Sequence, residues 1–269
     1  MFQIARSGAV TFLQSRNFLG FKFLTHAFCT RLGGVSEGKF ASLNMAVNQG
    51  DEEEKIRENW KILSRTFNIQ EKSFRIMNQV HGDDVLVIGE EGAMASEGQV
   101  PACDACVTQC PEVALCIKTA DCVPVFLLDP HRKVIGAVHA GWTGTALKVA
   151  AKVVDVMVQE FQCRPEDIQA AVGPSIGPCC YEVDSRVYLA MCDHYGSENF
   201  FRSSHRPGRW NLDLPRANCS QLLEKGLVKE NIELSGHCTF CLSDLFFSHR
   251  RDKGETGRHV NFIMLKHEI

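Results

Sequence analysis

Long apolar segments are absent from this sequence. No run approaches the ~18 uninterrupted apolar residues that a membrane span needs. The amino-terminal segment also lacks a sustained apolar stretch, and Arg6 and Arg16 interrupt it, so it does not have the form of a secretion signal. We therefore expect a cytoplasmic protein that has no membrane partner.

An excess of basic charge is also lacking. The 29 lysines and arginines are outnumbered by 32 aspartates and glutamates, which gives a formal net charge of −3. Proteins that bind nucleic acids or anionic membranes usually concentrate basic residues on one face. The composition therefore gives no reason to expect a nucleic-acid partner.

Cysteine, in contrast, is abundant. The 269 residues include 13 cysteines, and 45% of the chain is hydrophobic. A chain of this size can build its core without disulfide bonds, so we expect free thiols in a reducing compartment. With no internal repeat, low-complexity tract or linker, the sequence predicts a single domain over residues 1–269.

The spacing of apolar residues predicts a mixed α/β domain. Apolar residues recur at helical spacing from Ile56 to Phe67, in a helix that we expect Asp51 to cap. Further helices are predicted over 144–161 and from Asp213. Short apolar runs predict four successive strands that form one sheet, followed by three later strands. The runs are DACVT, VALCIK, VPVFLL and VIGAVH, then IQAAVG, FFSH and HVNFIML.

Three potential metal ligands stand at the ends of predicted strands or in adjacent loops. They are His81 in NQVHG, Cys122 in TADCVPVF and His139 in AVHAGW. Two imidazoles and a thiolate suit Zn²⁺, and three protein ligands with a fourth position left open are typical of a catalytic site. Taken one by one, each histidine is more often a hydrogen-bonded residue than a ligand, and Cys122 alone is more often a buried thiol.

A set of motifs spread over most of the chain resembles the YfiH-like laccase-domain family. In order, these are TRLGGVS, SLN, NQVHG, DA followed by LCIKTADCVPVFLLD, AVHAGW, VGPSIGPCCYEV and FFSHRRDKGETGR. The resemblance implies a layered α/β/β/α fold with mixed sheets and zinc ligands at His81, Cys122 and His139. This sequence departs from many relatives at Thr143, where a basic side chain is common, and at Cys103, where a glycine is usual.

The resemblance also implies an activity, that of a zinc-dependent purine nucleoside phosphorylase. Its substrates would be phosphate and adenosine, inosine or guanosine, with accompanying adenosine deaminase and methylthioadenosine phosphorylase activity. The zinc-deaminase pattern His-x-Glu followed by Pro-Cys-x-x-Cys does not occur here, so deamination rests on the resemblance alone. For the oligomeric state, a monomer and a homodimer are both compatible with the sequence.

Phosphorolysis requires a phosphate site, and the arginine fork matches phosphate oxygens. Arg31 in TRLGGVS is the first candidate, with Ser36 as a supporting donor, and Arg250 is the second. Gln79 and Asp121 adjoin the ligands and are candidates for orienting them or the nucleobase. The alternative is that both arginines are surface or loop-bracing residues.

Three other functions compete with the phosphorylase. A copper oxidase commonly needs His-x-His pairs, and no two of the ten histidines are separated by a single residue. A cysteine hydrolase could use Cys122 as nucleophile and His139 as base. The third alternative is a non-catalytic binding protein of an envelope or division pathway.

The remaining cysteines offer further hypotheses. The pairs Cys103-x-x-Cys106 and Cys238-x-x-Cys241 could jointly form a structural Cys₄ zinc site, although they lie far apart in the sequence. The adjacent cysteines of GPCCYEV are expected in a tight loop lining the pocket. His237 and His249 are expected to make polar contacts.

Overall fold

Two six-stranded sheets lie face to face at the centre of the fold. The computed structural model describes residues 2–47, 49–89, 101–195 and 199–267. Helices cover both outer faces, which confirms the predicted layered α/β fold with mixed sheets. In the described part of the chain, no helix has the length and apolarity to cross a bilayer.

The first sheet contains both ends of the described chain. Its neighbouring strands are antiparallel except for the last pair, which is parallel. In spatial order the strands are β1 (Gln3–Ser7), β2 (Val10–Gln14), β3 (Leu24–Cys29), β15 (His259–Leu265), β7 (Ala114–Thr119) and β4 (Phe74–Ile76).

The second sheet is antiparallel at its centre and has a parallel pair at each edge. Its strands are β14 (Ile232–Leu234), β10 (Gln169–Val172), β8 (Val123–Asp129), β9 (Val134–Ala140), β6 (Ala105–Thr108) and β5 (Val85–Val87). A third, antiparallel sheet consists of β11 (Glu182–Val183), β13 (Trp210–Leu212) and β12 (Phe201–Ser203).

Six α-helices occur among the described residues. They are α1 (Arg16–Leu19), α2 (Glu53–Phe67), α3 (Trp142–Ala146), α4 (Val149–Phe161), α5 (Ser185–Tyr195) and α6 (Leu214–Glu224). Short 3₁₀ helices cover Gly38–Phe40, Glu71–Ser73, Pro165–Asp167 and Lys229–Asn231.

Three apolar layers hold these elements together. One lies between the two sheets and includes Phe28 and Phe126, whose rings stack at 4.5 Å. The second packs α4 and α6 on the outer face of the second sheet. The third packs Leu63 of α2 on the first sheet. Because both sheets are covered on both faces, their strands read as continuous apolar runs instead of alternating ones.

The helix predictions need two corrections. The helix predicted over 144–161 is two helices, because Lys148 adopts a left-handed conformation (φ 63°) between α3 and α4. Asp51 does not cap α2, which begins after Glu52. The Asp51 carboxylate instead accepts hydrogen bonds from Ser36 and from the Glu52 amide. Asp213 does cap α6, by accepting from the Arg216 amide.

The strand predictions are confirmed in position but wrong in assembly. The four successive runs form β6 to β9, yet β7 belongs to the first sheet and the other three to the second. The chain crosses between the sheets there, since β7 pairs with β15 and β4 of the first sheet. FFSH is not a strand, and its residues lie in the loop before β15.

Candidate metal centre

The structure brings His81, Cys122 and His139 together. His81 lies in the loop between β4 and β5, Cys122 immediately precedes β8, and His139 lies near the end of the adjacent strand β9. One ligand atom from each lies within 4.8 Å of the other two, and Cys122 Sγ lies 3.9 Å from His81 Nε2. These three side chains are called the His–Cys–His cluster below.

Asp104 fixes two members of this cluster. Its carboxylate is fully buried and accepts hydrogen bonds from the backbone amides of Val80, His81 and Gly82. It also lies 2.7 Å from Nδ1 of His139, which leaves Nε2 as the free ring nitrogen. A carboxylate partner of this kind orients a ligating histidine and fixes its tautomer. The sequence interpretation assigned Asp104 no role, although a carboxylate at the start of an apolar strand was a signal for one.

The backbone around the cluster is unusual. His81 (φ 61°) and Asp121 (φ 91°) both adopt left-handed conformations that are costly for residues other than glycine. Gly141 follows β9 where a Cβ atom would lie 3.0 Å from Cδ2 of His81 and 3.3 Å from Cys122 Sγ. The tight packing explains why glycine follows His139 and Ala140 in AVHAGW.

Charge coupling shifts the pKa of two cluster members. Burial alone raises the pKa of Cys122, but the charge of His139 and hydrogen bonds from both histidines outweigh it and lower the pKa to about 6. Burial alone lowers the pKa of His139, but the Cys122 charge and the Asp104 hydrogen bond raise it to about 9. The site therefore stabilises a thiolate, the form in which cysteine acts as a metal ligand or nucleophile.

The donor set fits a zinc ion. One thiolate and one imidazole converge from the ends of β8 and β9, and the second imidazole comes from the loop before β5. The carboxylate behind His139 leaves one nitrogen of that ring free to bind. Three protein ligands leave one position for substrate or water, as in catalytic zinc sites. Asp104 provides the outer carboxylate that such sites commonly contain.

A cavity of about 830 Å³ opens beside the cluster. This volume lies within the usual range of small-molecule sites, about 300–1,000 Å³. Its wall combines apolar and aromatic side chains with three cationic ones. The aromatic ones are Trp60, Trp142 and Tyr181, and the cations are Lys118, Arg250 and Arg258. Aromatic faces suit a flat heterocycle, and the cations suit an oxyanion.

Lys118 and Arg258 were not identified from the sequence as candidate site residues. Both are partly buried, and burial together with the positive charge of Arg258 lowers the pKa of Lys118. Burial also lowers the pKa of Arg258, although the negative charges of Cys122 and Asp121 act to raise it. Because the two residues are 140 positions apart in the sequence, only the pairing of β7 with β15 shows that they face one cavity.

Arg31 and Ser36 do not line this cavity. The Arg31 guanidinium donates to the carbonyls of Ala41 and Ser243 and lies 4.6 Å from the Phe247 ring. Ser36 is buried and donates to Asp51. Their polar atoms therefore brace loops, which is the alternative stated for Arg31 above.

Arg250, Gln79 and Asp121 do line the cavity. Arg250 donates to the carbonyl of Glu182 and lies 5.1 Å from the Tyr181 ring, whose position it supports. The Gln79 amide pairs with both backbone groups of Lys118, at 2.8 Å each. The Asp121 carboxylate accepts from Thr239 Oγ1 and from the Arg250 amide. Gln79 and Asp121 thus position the cavity wall through neighbouring residues.

The structure also places three further features singled out in the sequence. Cys103 and Cys106 lie 3.9 Å from each other in the core between the sheets and do not meet Cys238 and Cys241, so the joint Cys₄ site is wrong. Thr143 is in α3 but does not line the cavity. His249 does line it, with Nδ1 3.5 Å from Arg258.

Comparison with known proteins gives consistent matches along the chain. Residues 25–266 match the family described as multi-copper polyphenol oxidoreductase laccase. "Purine nucleoside phosphorylase YlmD" of Geobacillus stearothermophilus is 38% identical over 244 residues, which cover 89% of each chain. A "Purine nucleoside phosphorylase" of Deinococcus radiodurans is 40% identical over 233 residues, covering 87% of this chain and 86% of that protein.

A solved structure shows the same fold. The Bacillus licheniformis protein YfiH superimposes with a TM-score of 0.88 at 34% identity, covering 98% of this chain and 99% of that one.

Proposed function

The chain belongs to the multi-copper polyphenol oxidoreductase laccase family, and from that premise and its site geometry we propose that it is a zinc-dependent purine nucleoside phosphorylase. The observation that carries the proposal is a thiolate and two oriented imidazoles beside a cavity that contains both aromatic and cationic side chains. The names of the relatives support it.

In this proposal His81, Cys122 and His139 hold the zinc ion, with Asp104 behind His139. When bound, the ion supplies Lewis acidity and a positive charge that favours anionic groups in the cavity. Cys122, His139 and Asp104 lie at the same end of the neighbouring strands β8, β9 and β6. His81 lies in a loop whose amides bond to Asp104, so the ligands are preorganised.

The phosphate pocket is assigned to Lys118, Arg250 and Arg258 instead of Arg31. Their charges lie in the cavity and can bind phosphate oxygens by charge-assisted hydrogen bonds. A purine can stack on the aromatic wall. Burial raises the pKa of Tyr181, so its phenol stays protonated and can donate a hydrogen bond to a substrate oxygen.

In this proposal the protein promotes phosphorolysis mainly by positioning the phosphate and the nucleoside, and no covalent bond to the protein is formed. A phosphate oxygen attacks the anomeric carbon of ribose while the bond to the purine nitrogen breaks. The electron pair stays on that nitrogen, which takes a proton, and the products are the free base and ribose 1-phosphate. The cationic residues hold the phosphate at the ribose, which converts a bimolecular encounter into a step within one complex.

The direct experiment is to incubate the zinc-loaded protein with inosine and phosphate. We expect hypoxanthine and ribose 1-phosphate in equal amounts, and corresponding cleavage of adenosine, guanosine and methylthioadenosine. No product from any nucleoside with a fully zinc-loaded protein would contradict the proposal and favour a non-catalytic binding protein.

We also propose that the same site deaminates adenosine. Release of inosine and ammonia without added phosphate is the expected result. Ammonia release that survives in a protein depleted of zinc would contradict a shared site.

Arg258→Ala should raise the Michaelis constant for phosphate by about 10- to 100-fold, because hydrogen bonds to charged groups contribute about 1.5–3 kcal/mol. Initial rates at varied phosphate and saturating inosine measure the change. Arg31→Ala is the matched control and should leave this constant unchanged, because its guanidinium faces loop carbonyls. If Arg31→Ala raised this constant and Arg258→Ala did not, phosphate would bind at Arg31 and the assignment to Arg258 would be wrong.

Copper chemistry is the rival suggested by the family description. One cysteine and two histidines also occur in blue-copper sites. Multi-copper oxidation needs further copper sites, whereas the described residues bring together only the His–Cys–His cluster and a group of four cysteines. Metal analysis distinguishes the two proposals. Stoichiometric copper, together with an intense thiolate-to-copper absorption band, would contradict the proposal that the site binds zinc.

A cysteine hydrolase is a second candidate, favoured by one observation. Cys122, His139 and Asp104 are arranged as nucleophile, base and orienting carboxylate. In metal-free protein the Cys122 thiolate should form with a pKa of about 6. The rate of iodoacetamide labelling should therefore increase around pH 6 and be close to its maximum at neutral pH.

Cys219 is the internal control for labelling, because burial raises its pKa and it should react only at alkaline pH. The zinc proposal further expects that stoichiometric zinc protects Cys122. A protein that is metal-free as purified and labelled at Cys122 would favour the hydrolase.

A further inference from the structure

Four cysteines meet outside the His–Cys–His cluster. Cys179 and Cys180 lie in the turn that follows β10, and Cys238 and Cys241 lie in the segment that follows β14. All four sulfur atoms lie within 4.8 Å of one another. They are partly or fully exposed, so apolar packing does not explain why thiols gather there.

The sulfur separations fit one tetrahedral ion. Cys241 Sγ lies 3.4 Å from Cys180 Sγ and 3.7 Å from Cys179 Sγ. A disulfide needs about 2.05 Å. Four sulfurs at about 2.3 Å from a central zinc lie about 3.8 Å from one another. The thiols are therefore spaced as ligands of a single ion.

The backbone around these thiols is shaped for a thiolate. The Gly177 amide donates a hydrogen bond to Cys238 Sγ over 3.2 Å. A Cβ atom at Gly177 would lie 3.3 Å from Cys179 Sγ and 3.4 Å from Cys238 Cβ, so the glycine lets the amide approach closely. Amide donors of this kind stabilise sulfur ligands from outside the coordination sphere. This contact is independent of the sulfur spacing.

We propose that Cys179, Cys180, Cys238 and Cys241 bind a structural zinc ion in a closed tetrathiolate site. The thiol protons pass to solvent when the zinc–sulfur bonds form, and no oxidation or reduction takes place. Four protein ligands leave no position for a substrate, so this ion holds structure and takes no part in chemistry.

The site would join two segments of the cavity wall. The Ile176 amide donates to the Asp121 carbonyl over 2.9 Å, and Thr239 Oγ1 donates to the Asp121 carboxylate over 2.6 Å. Ile176 and Tyr181 both line the cavity. An ion that ties residues 179–180 to residues 238–241 therefore holds two of the partners of Asp121, Ile176 and Thr239, in place.

The test uses the whole chain with Cys122→Ser. The His–Cys–His cluster has then lost its thiolate, and among the described residues the four cysteines are the remaining metal-ligand group. This variant is purified without oxygen and with a reductant, and its zinc is measured by elemental analysis. We expect one zinc per chain, and none when Cys238→Ser is added. Cys106→Ala, in the other Cys-x-x-Cys pair, is the matched control and should leave one zinc.

Cobalt gives a second measurement that does not require the Cys238→Ser protein to fold. Chelator removes zinc from the Cys122→Ser protein, and Co²⁺ is then added. We expect the visible absorption of tetrahedral cobalt with four thiolates, together with recovery of the Tm lost on chelation.

Two outcomes would overturn the proposal: a folded Cys122→Ser protein that lacks metal and whose four thiols are free or disulfide-bonded by mass spectrometry, or one that contains iron. Neither outcome bears on phosphorolysis, which is measured separately on the wild-type protein.

Discussion

Replacing Cys122 by serine should abolish zinc binding at the His–Cys–His cluster and lower kcat/KM for inosine phosphorolysis by about a thousandfold. A metal centre is expected to contribute several kcal/mol to stabilising charge in the transition state, and about 4 kcal/mol corresponds to a thousandfold. A serine hydroxyl is a poor substitute for the thiolate that this site stabilises. Zinc analysis and steady-state kinetics on the same preparation measure both effects.

Cys219→Ser is the matched control for this substitution. Cys219 lies in α6, is partly buried, and does not line the cavity. Its loss should leave zinc content and kinetics unchanged. If Cys122→Ser kept full activity, neither the zinc proposal nor the cysteine hydrolase would survive.

Asp104→Asn should weaken zinc binding at the cluster by about 10- to 100-fold, the usual cost of losing a partner behind a metal ligand. The carboxylate accepts four hydrogen bonds and makes none as a donor, whereas an amide replaces one oxygen by an NH₂ group. If that group faces His139 Nδ1, it moves the ring proton to Nε2, the nitrogen that would bind zinc. If it faces the loop, it opposes the amides of Val80 and Gly82.

The same substitution should also destabilise the protein, by about 1–3 kcal/mol, because buried donors lose their acceptor. Asp129→Asn separates the two effects. Asp129 is equally buried and accepts from the amides of His131 and Arg132 in the turn between β8 and β9, away from the cluster. It should lower stability in urea unfolding without changing zinc affinity. Equal zinc loss in both variants would show that Asp104 acts only through stability.

The elements of the fold were largely predictable from local patterns. The runs that form β6, β8 and β9, and the helical spacing of α2, follow from apolar content and periodicity. The arrangement of these elements was not predictable from local patterns. β7 carries the same kind of apolar run as its neighbours but pairs with β15, near the other end of the chain. Runs buried on both faces look alike whichever sheet they join, so pattern cannot assign the partner.

The proposed phosphate site shows the same limit of prediction from sequence. Arg31 and Arg250 both lie in glycine-containing motifs, and from the sequence Arg31 ranked first and Arg250 second as phosphate ligands. The structure directs the Arg31 guanidinium to loop carbonyls and places Arg250 in the cavity with Lys118 and Arg258. Where a long side chain points depends on carbonyls contributed by distant segments, here at Ala41 and Ser243.

The apolar pattern by itself determined a mixed α/β class. The motifs determined the family, and the resemblance implied the layered arrangement and pointed to His81, Cys122 and His139. Their donor types suit a metal ion whatever lies between them in the sequence, but the family motifs were needed to single out these three residues. Only the tertiary structure decided that Asp104 orients His139, that Lys118 and Arg258 share a cavity, and that Cys238 and Cys241 meet Cys179 and Cys180 and not the Cys103 pair. Each of these relations joins segments far apart in the chain, and sheet pairing and loop packing set the distances between them.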